Sequence, residues 1–304
     1  MEKYQRILVC LDQSDRDINL IKVASKICEF SPREITFVNV LREFALPDQL
    51  KKEFPNFMDK AVSERKTEIR ESVKEHFSWP DVDVNIKILR GQPAKAILKF
   101  AGSNDIDLII SGRKTKDTLG VVRSRLARRA DCSFLMIAEG RQLDLERILV
   151  PIDFSKFSKN AILKAVDLAK LVPNEVEIYA QNIYAVPSGY HYAGKTFKEF
   201  AQIMKDNAMK DFESFMKTVD TGGKEIKPIY SHDDNENFVS DVRDQARELG
   251  ASLIILGAKG QTSTSALLIG SKAERLVMME TECSMLLVRE KGEKAGFKEF
   301  MREL

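Results

Sequence analysis

Three glycines and a serine mark the place in this chain best suited to chemistry. Gly257, Gly260, Gly270 and Ser271 lie in the run SLIILGAKGQTSTSALLIGSKAERLV (252–277) and spell G-x2-G-x9-G-S. An apolar, strand-like run (253–256) enters the first glycine, and a helix-like run (272–279) follows the serine. That order sets a glycine loop and a helix N-terminus at the carboxyl end of a strand. Exposed backbone N–H groups and the positive end of a helix dipole make such a place hospitable to phosphate. Glycine tolerates positive φ there and lets the backbone approach an anion closely. The bland alternative is a loop whose glycines only turn the chain. The strand before and the helix after are the context that phosphate loops require.

The elements that must position this loop occur twice. RILVCLDQS (6–14) returns as RILVPIDFS (147–155), DLIISGRK (107–114) as SLIILGAK (252–259), and CSFLMIAE (132–139) as CSMLLVRE (283–290). The offsets are 141, 145 and 151, so the order is kept with small changes of length. Two copies of about 145 residues are two domains, since a solenoid needs a shorter period and more units. The expected domains are 1–142 and 143–304, joined in the polar stretch EGRQLDLE. In the second copy strands are expected at 148–152, 176–183, 225–230, 251–256 and 285–289. Helices are expected at 159–171 and 238–249 and after Ser271, with a long one carrying Phe197, Phe200, Met204, Ala208, Phe215 and Val219 at helical spacing. In the first copy strands are expected near 6–11, 34–40, 84–89, 106–111 and 134–138. Continuous apolar strands separated by helices indicate an α/β fold. Each copy then holds a doubly wound, Rossmann-like, five-stranded parallel sheet covered on both faces. Ligands of such sheets lie beyond the carboxyl ends of the strands, near the switch point.

The net charge of +2 gives no electrostatic argument for nucleic acid or an acidic membrane as partner. No apolar run approaches the roughly 18 residues needed to span a bilayer. The start MEKYQR leads directly into a strand with no signal-peptide pattern, so a cytoplasmic location is expected. Cys10, Cys28, Cys132 and Cys283 form no C-x2-C pair, and His76, His191 and His232 do not cluster, so no metal site is expected. Cys132 and Cys283 are repeat equivalents and read as buried structural residues.

These residues resemble the universal stress protein family over nearly the whole chain, as two tandem domains. The resemblance rests on the opening strand with its aspartate (Cys10-Leu11-Asp12 and Pro151-Ile152-Asp153), on G-x2-G-x9-G-S, and on the C-S-hydrophobic strand that ends each copy. It implies an adenine nucleotide alpha-hydrolase-like fold and, because the motif is intact in the second copy, ATP there, with Mg2+ as companion. Pro151, Ile152 and Asp153 would then face the adenosine end. Gly257 and Gly260 would let the loop wrap ribose and phosphates, and Gly270, Ser271 and Lys272 would offer donors to phosphate. A carboxylate suits adenosine's donors and helix-start donors suit phosphate. Asp153 could equally be a turn or helix-cap residue beside Ser155 and Ser158. Lys259 stands for phosphate or for solvent.

The first copy departs from the pattern. Gly112 matches Gly257, but Thr115 stands for Gly260, only 116–119 separate it from Gly120, and Val121 replaces the serine. That loop is too short to wrap a triphosphate in the same way, and a nucleotide-free partner domain is expected. Arg123, Arg125, Arg128 and Arg129 form either a site for an anionic partner or a solvated helix face. The resemblance implies that the last strands of the two domains pair as an intramolecular pseudo-dimer, and it allows a homodimer besides. The tail 291–304 carries Phe297, Phe300, Met301 and Leu304 at helical spacing. The expected function is an ATP-binding regulator of the stress response. A nucleotide-independent scaffold or binder of another small ligand is the alternative, and an adenylating enzyme a third. No catalytic base, arginine finger or Walker-type lysine points to a dedicated ATPase.

Overall fold

The computed structural model describes residues 4–28, 32–42, 48–79, 81–113, 120–143, 145–233, 237–260, 269–279 and 281–289. Thr115, the segment 116–119, the centre of the glycine motif (261–268) and the tail 291–304 lie outside the described residues. Two compact units divide between Gln142 and Leu143.

The first unit runs β1 (Arg6–Cys10), α1 (Arg16–Ile27), β2 (Glu34–Leu41), α2 (Asp48–Glu53), α3 (Phe57–His76), β3 (Asp83–Arg90), α4 (Pro93–Ser103), β4 (Leu108–Arg113), α5 (Val121–Arg129) and β5 (Ser133–Ala138). Its strands pair in parallel in the order β3-β2-β1-β4-β5. The second unit runs β6 (Arg147–Ile152), α6 (Lys156–Leu171), β7 (Glu177–Tyr184), a 3-10 turn (Tyr190–Ala193), α7 (Phe197–Met216), β8 (Ile226–His232), α8 (Phe238–Leu249), β9 (Leu253–Gly257), α9 (Ser271–Met278) and β10 (Ser284–Val288). Its parallel order is β8-β7-β6-β9-β10. The doubly wound α/β architecture expected for each repeat is therefore present. The order reverses between β1 and β4 and between β6 and β9, where such sheets open a crevice.

The central strands are apolar without alternation, because helices cover both faces. Ile148, Leu149 and Val150 of β6, Leu253, Ile254 and Ile255 of β9, and Met285 and Leu287 of β10 are all buried. The edge strand β8 carries Pro228, which cannot donate to a ladder and suits an edge. Cys132 and Cys283 are buried and not disulfide-bonded. Among the described residues no helix is long and apolar enough to cross a membrane.

Local capping sets the helix bounds. α6 begins three residues before its expected start because Ser155 Oγ accepts from the Ser158 N–H at 3.2 Å. Thr196 and Glu199 form a reciprocal capping box that starts α7. Gly250, at φ 58, closes α8 in the left-handed conformation. Val219, expected on the long helix, falls beyond α7 in a turn where its N–H reaches Met216 O, yet it stays buried. The 3-10 turn has no apolar period to announce it.

Candidate functional site

The switch point of the second unit is built from the ends of β6 and β9. Pro151 stands where the first unit has Cys10, and it has no N–H to give. In the first unit β1 and β4 remain paired from Ile7↔Leu108 to Cys10↔Ser111. In the second unit β6 and β9 pair only at Ile148↔Leu253 and Leu149↔Ile254. The ladder thus ends before Pro151, which has no N–H with which to continue it. Pro151 and Ile152 keep their side chains buried.

Asp153 follows at once and is half-buried. Its Oδ1 accepts from the Ser155 N–H at 3.1 Å and from Ser158 Oγ at 2.7 Å, while its own N–H donates to Ser158 Oγ at 2.9 Å. One carboxylate oxygen therefore serves the turn, as the capping reading holds. The other points elsewhere: a Cβ on Gly260 would lie 2.7 Å from Asp153 Oδ2. Gly260, having no Cβ, lets this oxygen pack directly against the loop backbone.

The two ends of the 261–268 segment meet. The Gly270 N–H donates to Ala258 O at 2.8 Å, and a Cβ on Gly270 would sit 3.6 Å from Gly260 N and 3.5 Å from Lys259 Cα. Gly270 is the N-cap of α9 and offers no side chain to it. Ser271 and Lys272 open the helix, so their N–H groups precede any intrahelical partner. Asp153, Gly260, Gly270 and Ser271 are thereby gathered at one end of the sheet.

The remaining residues do other things. A Cβ on Gly257 would meet Phe157 O at 2.7 Å, and Phe157 C and Cβ at 2.8 Å. Gly257 is thus demanded by the close approach of α6 to β9, a reason that needs no ligand. Lys259 is not solvated, as one reading had it. It is 8 % exposed, and its Nζ lies 5.5 Å from the Phe157 ring centroid. Lys272 Nζ stands over the Phe238 ring at 4.7 Å.

Sequence reasoning missed Asn182. It is buried, and its Nδ2 donates to Ile152 O at 3.2 Å, pinning the carbonyl just before Asp153. Asn39 does the same for Leu11 O at 2.9 Å in the first unit. The signal was available as a further internal repeat, Glu34-Ile35-x3-Asn39 against Glu177-Ile178-x3-Asn182. Phe154 was also missed. Its φ of 62 matches the 61 of Gln13, so both repeats carry the same strained turn after the aspartate.

The equivalent place in the first unit is filled from within. Arg16, which matches Phe157, donates to Asp12 Oδ2 at 3.0 Å and to Glu139 Oε1 at 3.5 Å. Its Nε would lie 3.7 Å from a Cβ on Gly112. Burial works to raise the Asp12 carboxyl, but hydrogen bonds from Ser14 and the Arg16 charge outweigh it and hold the group below its ordinary range. Asp17, which matches Ser158, accepts from the Asp12 N–H at 3.0 Å and the Gln13 N–H at 2.8 Å. Burial pushes its carboxyl up to about 6 despite those bonds. On α5, Arg123 is only 7 % exposed, unlike Arg125, Arg128 and Arg129. It therefore belongs neither to a solvated face nor to an exposed basic patch.

Comparison with known proteins places this geometry. Universal stress protein E of Photorhabdus laumondii is 20 % identical over 313 residues, covering 96 % of this chain and 97 % of that protein. Universal stress protein YxiE of Bacillus subtilis is 28 % identical over 149 residues, 47 % of this chain and 98 % of that one. The crystal structure of a universal stress protein from Archaeoglobus fulgidus superposes with a TM-score of 0.64 at 14 % identity, covering 96 % of this chain and all of that one. The model of the Universal stress protein family matches twice, at residues 3–138 and 145–289. With both repeats matched almost end to end, the chain belongs to the Universal stress protein family as a tandem two-domain member.

Proposed function

We propose that the second repeat binds ATP at the carboxyl ends of β6 and β9, and that the chain works as a nucleotide-dependent regulator in the stress response. The observation that carries this reading is the placement of Asp153 Oδ2 opposite Gly260, 2.7 Å from where a Cβ would sit. A carboxylate, a glycine backbone packed against it and a helix start at Ser271 with no side-chain cap form one donor and acceptor set. The carboxylate would take the hydroxyl or amino donors of adenosine, and the α9 N–H groups would take phosphate. Among the described residues no group of three or more His, Cys, Asp or Glu side chains could hold a metal. Mg2+ would therefore arrive on the nucleotide's phosphates and keep most of its waters.

The first repeat would stay nucleotide-free. Arg16, held between Asp12 and Glu139, occupies the space beside Gly112. Equilibrium titration with Mg-ATP tests both statements, with adenine nucleotide counted after denaturation. A single nucleotide per chain is expected, lost in Gly270→Val and kept in Gly112→Val. Full affinity in Gly270→Val overturns the phosphate assignment, and two nucleotides per wild-type chain overturn the asymmetry.

A further inference from the structure

A second place in the same unit is shaped for a ligand and shares no residue with the nucleotide set. The start of α6 and the end of α7 border a shallow, open groove of about 550 Å³. Its floor is aromatic: the Phe154 and Phe215 rings meet edge to face at 5.7 Å and 61°. Lys156 and Lys159 stand on the α6 wall, Asp211 and Ser214 on the α7 wall. The two repeats share the positive φ here but differ in the side chain it carries. Gln13, at the same positive φ as Phe154, spends its side chain on a 2.8 Å hydrogen bond to Glu68 of α3. The second repeat puts an aromatic ring there instead and leaves the space above it open.

We propose that this groove binds a small organic anion with a flat apolar body. The body stacks against the Phe154–Phe215 floor, where aromatic faces and edges pack well. The anionic head turns to Lys156 and Lys159. Asp211 repels the head from the far wall and so fixes the orientation.

The test titrates the full chain with anilinonaphthalene sulfonate, a flat-ringed organic anion whose fluorescence rises in apolar surroundings. A saturable rise is expected, and saturating Mg-ATP leaves it in place. Joint Lys156→Gln and Lys159→Gln weakens it about tenfold, as the loss of two surface charges of ordinary strength implies. Phe154→Gln weakens it independently, and Gln13 already holds that turn conformation, so the variant keeps its fold. Melting curves confirm that both variants are native. A rise indifferent to both substitutions, a rise that Mg-ATP abolishes, or no saturable rise overturns the proposal. Failure of Mg-ATP to bind leaves the groove's result standing, so the two readings fall separately.

Discussion

The motif glycines should fail in different ways when each is given a methyl group. At Gly257 the new Cβ would stand 2.7 Å from Phe157 O and 2.8 Å from Phe157 C and Cβ. Two of these atoms are helix backbone and cannot rotate aside, so α6 itself must retreat from β9 by more than half an ångström. Forced overpacking of this kind costs about 1–3 kcal/mol. A unit of this size loses about 2–4 °C of melting temperature per kcal/mol. Gly257→Ala should therefore melt about 5 °C lower, with or without nucleotide. At Gly260 the collision is with Asp153 Oδ2, the end of a side chain that can turn. Stability should change by less than about 1 kcal/mol, but the turned carboxylate no longer faces the adenosine end and Mg-ATP binding should fall at least tenfold. At Gly270 the nearest atoms are 3.5–3.7 Å from the Cβ position and φ is −64. Alanine there fits both space and backbone, so Gly270→Ala keeps its stability and only valine reaches far enough to block phosphate. Scanning calorimetry and isothermal titration on the three alanine variants separate these outcomes. A Gly257→Ala chain as stable as wild type refutes the packing argument. A Gly260→Ala chain with wild-type affinity refutes the place given to Asp153.

Three further outcomes are expected. Asp17 holds its proton up to about 6 in the native state but only to about 3.9 when unfolded. Its contribution is thus complete below pH 4 and lost as pH rises through 6, about 1 kcal/mol after allowing for solvent screening; urea unfolding of wild type against Asp17→Ser across pH 4–7 should show the difference shrinking with that midpoint. Asn182→Ala strands the Ile152 carbonyl and should cost about 1–2 kcal/mol while weakening Mg-ATP, whereas Asn39→Ala should cost as much and leave Mg-ATP unchanged. Pro151→Cys restores the residue and the N–H of the first repeat; it should slow amide exchange at the end of β9 and weaken Mg-ATP several-fold, and unchanged affinity would remove the shortened ladder from the explanation.

Most of the fold was legible because the duplication displays each strand twice. RILVCLDQS against RILVPIDFS and CSFLMIAE against CSMLLVRE fix the first and the last strand of each repeat in chain order without any propensity argument. Helix bounds were less legible, since a hydroxyl decides them locally. Ser155 pulls α6 back to Lys156, while apolar periodicity first speaks at Ala161 and Ile162. The site was legible in residue types but not in duties. Gly257 and Gly260 look alike in the motif, yet one is pressed against the α6 backbone and the other faces a carboxylate. That difference depends on how closely a helix 100 residues earlier approaches the loop, which no spacing encodes. The burial of Lys259, beside the Phe157 ring, is likewise a matter of packing that spacing does not encode.

The two repeats also show where divergence was concentrated. The parts that build the switch point are kept in both: the aspartate, the positive-φ turn behind it, the buried asparagine that pins the preceding carbonyl, and the glycine at or next to the end of the fourth strand. The changes fall on side chains that face the space beyond the strands. Cys10 becomes Pro151, Gln13 becomes Phe154, Arg16 becomes Phe157 and Asp17 becomes Ser158. In the first repeat these side chains close on one another, with Arg16 on Asp12 and Glu139, and Gln13 on Glu68. In the second repeat every replacement removes a charge or a donor from that network. A carboxylate whose guanidinium partner is replaced by a phenyl ring has its second oxygen turned toward a glycine loop instead. A self-satisfied electrostatic cluster has nothing to gain from a polyanionic ligand, because binding must first break ion pairs already made. The second repeat has Phe157 in place of Arg16, so on the proposed function a nucleotide there would have no guanidinium to displace from the aspartate at that position.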